Sequence, residues 1–163
     1  MKALFIGRFQ PIHNGHLEVM KKASKEADKL IIVIGSANKE FEKENPFSLE
    51  ERKNMIEKAL NKAKIKNYEI LSIDDVDNHP LWFANLKKLA PDFDIAYCGS
   101  GATHDLLKSK GIKVIDLDRI QNISASDIRE KIKKDEHWQD LVPDVVFEEI
   151  ERIHGVKRVK ELG

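Results

Sequence analysis

The chain has 163 residues, of which 41% are hydrophobic and 34% are charged, and its 28 basic and 28 acidic side chains give a formal net charge of zero. This composition is typical of a globular protein that can bury a hydrophobic core, and it excludes a disordered chain. The balanced charge excludes a global attraction to nucleic acids or anionic membranes, so any anion must be bound by a local cluster of donors.

Strand and helix patterns alternate along the chain. Short, continuous apolar runs predict five buried strands, at residues 3–6, 30–34, 68–73, 93–99 and 112–117. Helical periodicity and capping signals predict helices at 15–27, after Ser48, at 80–90, 104–111, 124–134 and 143–153. Ser48 and Glu51 have the spacing of a capping box, which marks the start of the second helix.

This alternation predicts an α/β fold. Strands separated by helices form a parallel sheet that is covered on both faces by right-handed crossovers. We therefore predict a Rossmann-like, doubly wound, five-stranded sheet with helices on both faces and a C-terminal helical segment, with the third strand beside the first. No internal repeat, low-complexity tract or linker interrupts the pattern, so residues 1–163 are predicted to be a single domain.

Cysteine content and hydropathy favour a cytoplasmic protein with no membrane or nucleic-acid partner. The single cysteine, Cys98, cannot form an intramolecular disulfide, and no Cys/His grouping has the spacing of a zinc site. The longest apolar run, residues 30–34, is too short to span a bilayer. The N-terminus lacks the succession of charged, apolar and small residues that forms a signal peptide.

The segment GRFQPIHNGH, residues 7–16, lies where the first strand gives way to a helix. Such a turn presents unpaired backbone N–H groups and the positive end of the helix dipole. His13 and His16 can lie on one side of the first turn, and Arg8 adds a fork of donors suited to phosphate. Gly15 is predicted to leave room for a ligand to approach the backbone. The segment predicts a polyphosphate site, unless one histidine merely caps the helix and the other packs against the sheet.

The same segment resembles the start of nicotinamide mononucleotide adenylyltransferases, the archaeal type especially, within the HxGH nucleotidyltransferase superfamily. That family also has S-x-[ST]-x-x-R at a helix start, which SASDIR at 124–129 matches. Further matches at ENPFSLEER, LVPDVV and GVKRVKEL extend the resemblance over essentially the whole chain. It implies adenylyl transfer from ATP to nicotinamide mononucleotide, giving NAD and pyrophosphate. It also implies Mg²⁺ that enters with ATP, no metal ligand from the protein, and a homo-oligomer, often a hexamer.

The resemblance also implies a role for each matching residue. The predicted catalytic residues are His13, His16 and Arg129, with His16 on the α-phosphate. The predicted ATP-binding residues are Gly7, Arg8, Phe9, Gly15, His16, Gly99, Ser124, Ser126 and Arg129. The predicted mononucleotide-binding residues are Asp75, His79, Trp82 and Arg52. The attacking phosphate is already an anion, so catalysis requires alignment and charge stabilisation rather than a general base.

The acceptor side departs from the family pattern. By resemblance Trp82 stacks on the nicotinamide ring, although an aromatic at this place is also compatible with a core residue. The family usually has asparagine where this chain has His79, which follows Asn78. Arg52 either is a surface charge or supports the active-site loop. The charged segment 38–46 is predicted to be a mobile lid over the acceptor.

A second departure follows the fourth strand. The chain has CGSG at 98–101 where the family commonly has SGNP, and Ser100 is a candidate contact for the adenosine. The sequence does not distinguish nicotinamide from nicotinate mononucleotide as the acceptor, because no lysine or arginine nearby clearly pairs with a carboxylate.

Other functions remain open. Relatives that act on phosphopantetheine, a flavin nucleotide or glycerol phosphate usually begin with G-[TS]-F-D rather than GRFQP. An inactive nucleotide-binding or assembly module is disfavoured because the two histidines, Ser126 and Arg129 are all present. A class I aminoacyl-tRNA synthetase fragment shares the histidine signature, but this chain lacks a tRNA-binding extension.

Overall fold

The computed structural model describes residues 1–163 and contains one five-stranded parallel sheet. Its strands are β1 (Lys2–Gly7), β2 (Lys29–Ile34), β3 (Tyr68–Ser72), β4 (Ile95–Cys98) and β5 (Val114–Asp116). Its helices are α1 (Asn14–Glu26), α2 (Leu49–Lys62), α3 (His79–Leu89), α4 (Ala102–Ser109), α5 (Leu117–Ile120), α6 (Ala125–Lys133), α7 (Asp144–Arg152) and α8 (Gly155–Leu162), with a 3-10 helix at Gln139–Leu141. The predicted α/β fold with a parallel five-stranded sheet is confirmed.

The strand order is β3-β2-β1-β4-β5, which corrects one detail of the prediction. We expected the third strand beside the first, but β3 is an edge strand that pairs with β2, with Ile70 opposite Ile32. β1 instead lies between β2 and β4. The pattern of apolar runs gives the strands in chain order only, and their lateral order depends on the direction of each crossover. The winding reverses between β1 and β4.

The two faces of the sheet are buried by different helices. Phe5 of β1 points into the larger core, which α1, α2, α6, α7 and α8 close. Leu4 points the opposite way, into a smaller core that contains Leu86 of α3 and Leu107 of α4. This alternation of adjacent residues explains why β1 is a continuous apolar run. None of the helices is long and apolar enough to cross a membrane.

Two short helices were not predicted. The predicted strand at 112–117 ends early because the Asp116 carboxylate accepts the backbone N–H of Asp118 at 3.0 Å and starts the single turn of α5. After α7, His154 adopts a left-handed conformation, with φ of 57°, and α8 begins at Gly155. A Cβ at Gly155 would lie 2.9 Å from the Ile150 side chain, so α8 packs this closely only with glycine there.

Candidate active site

Two loops meet at the carboxyl edge of the sheet, where the winding reverses. Gly7 and Arg8 lie at the end of β1, and Gly99 and Ser100 directly follow β4. All four residues line both a cavity of about 460 Å³ and a cavity of about 280 Å³. The larger and the smaller cavity are therefore two ends of one cleft centred on the end of β1. Ligands of open α/β sheets bind at this place.

His13 and His16 form a reciprocal cap at the N-terminus of α1. Nδ1 of His13 accepts the backbone N–H of His16 at 3.3 Å, and Nδ1 of His16 accepts the backbone N–H of His13 at 3.2 Å. The rings stack with their centroids 3.6 Å apart, and both line the larger cavity. The two interpretations of these histidines are thus compatible, because residues that cap the helix also face the cleft.

This cap determines where each neutral imidazole carries its proton. An Nδ1 that accepts a hydrogen bond has no proton of its own, so the proton is on Nε2. Burial lowers the pKa of His13 to about 4. Burial, with a smaller contribution from neighbouring His13, also lowers the pKa of His16 well below its usual range. At neutral pH the pair therefore consists of two uncharged rings, each with an Nε2–H donor that the cap does not use.

We expect the folded protein to lose stability as the pH falls from about 6.5 to about 4. Histidines of the unfolded chain bind a proton near pH 6.5, whereas folded His13 does so only near pH 4. The unfolded state takes up more protons in this window, so the free energy of unfolding falls, by up to roughly 3 kcal/mol from His13 alone. Urea unfolding at several pH values measures this loss.

His13→Asn is the control for this prediction, because asparagine keeps a side-chain acceptor for the helix cap but does not titrate. The stability of this variant should fall less steeply over the same pH window. Equal slopes for the two proteins would contradict a depressed histidine pKa as the cause.

The space beside Gly15 is filled by other side chains of the protein and not by a ligand, which corrects our prediction for this residue. We expected it to leave room for a ligand, but Gly15 does not line either cavity. A Cβ at this position would lie 3.0 Å from the ring of His13 and 3.1 Å from Oε1 of Gln121. The absence of a side chain therefore allows the stacked histidine pair to form.

Gly7 and Phe9 support the histidine pair from the core side. Phe9 has a left-handed backbone, with φ of 55°, and its buried ring lies 4.9 Å from the ring of His16. A Cβ at Gly7 would lie 3.2 Å from the Phe9 ring. Both residues line the larger cavity, and Phe9 also holds the imidazole in place from behind.

The N-terminus of α6 brings a second set of donors to the larger cavity. Ser124 caps the helix, with its Oγ accepting the N–H of Asp127 at 3.0 Å. Arg129 is buried, and its guanidinium donates to the carbonyl of Gln10 at 2.9 Å and to Oγ of Ser126 at 3.2 Å. Both serines and Arg129 line the cavity together with the histidines. The two sequence motifs, far apart in the chain, meet at one site.

Segment 38–46, predicted to be a lid over the acceptor, contacts lining residues of both cavities from its two ends. At its start, Asn38 exchanges hydrogen bonds with the backbone of Asp75. At its end, the Glu44 carboxylate pairs with Arg129 at 3.2 Å, and Oδ1 of Asn45 accepts from Arg8 at 3.3 Å. The segment therefore contacts Arg8 and Arg129 of the larger cavity as well as Asp75 of the smaller one.

Arg52 does not face the cleft, which corrects its assignment to mononucleotide binding. The side chain is completely buried and lines neither cavity. Its five N–H groups donate to five backbone carbonyls, those of Arg8, Gly35, Ser36, Lys39 and Ser48. Arg52 therefore joins the loops that follow β1 and β2, and no donor remains for a ligand. Desolvation by burial lowers its pKa from the usual value.

The end of the cleft that the smaller cavity forms contains Asp75 and Trp82. Both residues line the smaller cavity. Together with His79 they also line an adjoining recess of about 140 Å³. Ser36 donates its hydroxyl to Asp75 at 3.0 Å. The Trp82 indole packs against the smaller core with its other side, so it is partly a core residue and partly a wall of the cleft. Asn78 caps α3 with its side chain, and it is His79 that lines the recess together with the indole.

Three polar residues of the larger cavity were missed by sequence reasoning, namely Gln10, Asp118 and Gln121. Asp118 lies in α5 and Gln121 directly follows it, at the edge of the sheet where ligands bind. Polar residues immediately after a strand were a usable signal. Asp118 directly follows the predicted strand at 112–117, but this signal was not used.

Comparison with known proteins shows which family this chain resembles. Residues 4–152 match the family model described as cytidylyltransferase-like. The nicotinamide-nucleotide adenylyltransferase of Picrophilus torridus is 37% identical over 165 residues, which cover 100% of this chain and 98% of that protein. The enzyme of the same description from Methanococcus aeolicus is 40% identical over 165 residues, covering 100% of this chain and 95% of that protein.

Solved structures show the same fold. A bifunctional NMN adenylyltransferase/ADP ribose pyrophosphatase from Francisella tularensis superposes with a TM-score of 0.82 at 24% identity, over 99% of this chain and 52% of that one. A structure of this Francisella tularensis enzyme complexed with AMP and an Mn ion gives a TM-score of 0.77 at 26% identity, over 99% and 51%. The chain thus spans about half the length of these two-function proteins.

Proposed function

The chain belongs to the cytidylyltransferase-like family and, within it, to the archaeal type of nicotinamide-nucleotide adenylyltransferases, and from this premise we propose how its cleft works. The protein transfers the adenylyl group of ATP to nicotinamide mononucleotide, which yields NAD and pyrophosphate. One observation carries this proposal. A single cleft has phosphate-binding donors from two helix N-termini at one end and an indole beside a carboxylate at the other.

The reaction requires two phosphates to meet at the centre of the cleft. An oxygen of the mononucleotide phosphate attacks the α-phosphorus of ATP, and the bond from that phosphorus to the pyrophosphate oxygen breaks with its electron pair. Gly7 and Arg8 line both cavities, so we place the α-phosphate beside them. The cleft accelerates the step by aligning the two phosphates and by stabilising charge on the leaving group.

The donors divide between the phosphates of ATP. In our proposal the Nε2–H of His16 contacts the α-phosphate, and His13 contacts the triphosphate beside it. Ser124, Ser126 and Arg129 hold the β- and γ-phosphates from the opposite helix N-terminus, where N–H groups and the helix dipole favour an anion. Because both histidines are neutral, they act as hydrogen-bond donors and not as acids that lose a proton.

Any divalent cation would be held mainly by ATP. No group of three or more His, Cys, Asp or Glu side chains in the structure is placed to hold a metal ion. The guanidinium and imidazole groups that line the larger cavity bind phosphate oxygens and not cations. We propose that Mg²⁺ would enter with ATP and be held by its phosphates, where it would supply positive charge that offsets part of the charge of the pyrophosphate. We further propose that residues 1–163 act as one domain. The cytoplasmic location and the hexameric assembly remain predictions.

Product analysis tests the proposed reaction. The protein is incubated with Mg-ATP and, separately, with nicotinamide mononucleotide, nicotinate mononucleotide, flavin mononucleotide and phosphopantetheine. We expect a dinucleotide and an equal amount of pyrophosphate with the first acceptor. The ratio of kcat/KM for the first two shows whether the protein prefers the amide or the carboxylate. Product from only the last two acceptors, or from none, would contradict the proposal.

Replacing Trp82 with alanine should raise KM for nicotinamide mononucleotide by about tenfold or more and leave KM for ATP nearly unchanged, because stacking on a base contributes roughly 1–3 kcal/mol. Steady-state kinetics with each substrate varied in turn measures both constants. Trp82→Phe is the control, and it should recover much of the loss because it retains a ring. A lower melting temperature with both KM values unaltered would show that the indole is only a core residue.

A further inference from the structure

Arg158 of α8 contacts both ends of a short turn in the segment that was predicted to be a lid. The turn is closed by two backbone hydrogen bonds of 3.1 Å between Glu42 and Asn45. Just before the turn, the ring of Phe41 lies 4.9 Å from the Arg158 guanidinium, which is within the range of a cation–π contact. Just after the turn, the carbonyl of Pro46 accepts a hydrogen bond from the same guanidinium at 3.3 Å. One side chain therefore holds the turn from both sides.

The Arg158 guanidinium is itself fixed by Glu51, in the first turn of α2. Two of its nitrogens bond to the two carboxylate oxygens of Glu51, one of them at 3.0 Å. The same carboxylate accepts the backbone N–H of Ser48 at 2.9 Å, so it is part of the cap of α2. The side chains of Arg158 and Glu51 are 23% and 19% exposed. Because a two-pronged pair that is mostly buried has a defined geometry, Arg158 is a fixed anchor and not a mobile surface charge.

The turn in its own right orients Arg8, which lines both cavities. Oδ1 of the buried Asn45 accepts from Arg8 at 3.3 Å, and this is the only hydrogen bond of the Arg8 side chain within the protein. Arg8 is exposed, and an exposed arginine has many rotamers. The pKa of Arg129 is lowered by burial first and then by the nearby charge of Arg8. Repulsion between these like charges favours other positions of Arg8, so its place beside the cleft depends on Asn45.

We propose that Arg158 is a positioning residue for adenylyl transfer, which acts through the turn and Asn45 on Arg8. This inference rests on the proposed function, which places Arg8 beside the α-phosphate. Arg158 lines neither cavity, so it does not touch the substrates itself. A small misplacement of a group beside the reacting atoms lowers the rate of the chemical step, even when its cause lies far from them. Loss of the Arg158 guanidinium should therefore slow the reaction.

A double-mutant cycle tests this path from Arg158 to Arg8. Single-turnover rates are measured at saturating ATP and nicotinamide mononucleotide for the wild type, Arg158→Gln, Asn45→Ala and the double variant. We expect each single substitution to lower the rate by about tenfold. Because both substitutions break the same path, the double variant should be at most about twofold slower than the slower single variant. A double variant that is slowed by the product of the two single factors would overturn the proposal.

Two variants of neighbouring residues on α8 serve as controls. Lys157→Gln removes the same charge from a side chain that is 78% exposed, and it should retain the wild-type rate. Val159→Ala shortens a side chain that is buried in the larger core, so it should lower the melting temperature and still retain the wild-type rate. A loss of rate in Val159→Ala as large as that in Arg158→Gln would overturn the proposal, because any destabilisation of α8 would then be sufficient.

Amide hydrogen exchange separates this proposal from the proposed function. The backbone N–H of Asn45 donates within the turn to the carbonyl of Glu42. It should exchange about tenfold faster in Arg158→Gln than in the wild type, and at the wild-type rate in Lys157→Gln. Equal exchange in all three proteins would overturn the positioning role, whether or not the wild type forms NAD. Faster exchange in Arg158→Gln, together with a wild type that forms no NAD, would contradict the proposed function and leave the link between Arg158 and the turn established.

Discussion

Replacing His16 with alanine is expected to lower kcat by about a hundredfold or more, with a smaller effect on KM for ATP. The neutral ring is fixed by one hydrogen bond from the backbone N–H of His13, by stacking on the His13 ring and by the buried Phe9, so its Nε2–H needs no reorganisation to meet charge that develops on the α-phosphate. A donor that acts mainly in the transition state affects kcat more than binding. Single-turnover measurements at saturating substrates isolate the chemical step.

The alanine variant also removes one acceptor of the α1 cap, so a second variant is needed. His16→Asn keeps a side-chain acceptor near the N–H of His13, but its shorter side chain does not reach the phosphate. We expect it to melt close to the wild-type temperature and to be nearly as slow as the alanine variant. His137→Ala, at a side chain that is 71% exposed, controls for loss of any histidine. A defect confined to KM would make His16 a ground-state binding residue.

Arg52→Lys should lower the free energy of unfolding by about 3 kcal/mol or more, because one ammonium cannot reach the five carbonyls that the guanidinium satisfies. Each buried carbonyl left unpaired costs about 1–3 kcal/mol. The loop that carries Arg8 should also lose its fixed position, so both KM values should rise together. Urea unfolding and steady-state kinetics measure the two effects.

Arg119→Lys is the control for this substitution, since that side chain is 86% exposed and should tolerate lysine. One outcome would contradict the removal of Arg52 from the mononucleotide-binding residues. If Arg52→Lys were as stable as the wild type and raised only KM for the mononucleotide, Arg52 would contact the acceptor directly, as the family resemblance first implied.

The sequence by itself determined the type of fold and the two motifs that line the larger cavity. Five apolar runs separated by helical patterns are sufficient to predict a parallel sheet, because strands that are buried on both faces contain few polar residues. GRFQPIHNGH and SASDIR place histidines, serines and Arg129 at two helix N-termini, and each motif is a short contiguous stretch that the family resemblance identifies. The helix cap at Ser48 likewise depends on a residue only three positions away.

Only the tertiary structure decided what depends on contacts between distant segments. The order of the strands, with β3 beside β2, follows from the path of each crossover, which leaves no mark on the apolar pattern. In the sequence Arg52 is an ordinary helix charge, and only the fold brings five carbonyls from separate loops to it. In the sequence Gly15 suggests space for a ligand, but in the fold the ring of His13 and the amide of Gln121 fill that space. Burial and hydrogen-bond partners are properties of neighbours in space, so a pattern along the chain can propose a residue but cannot show what surrounds it.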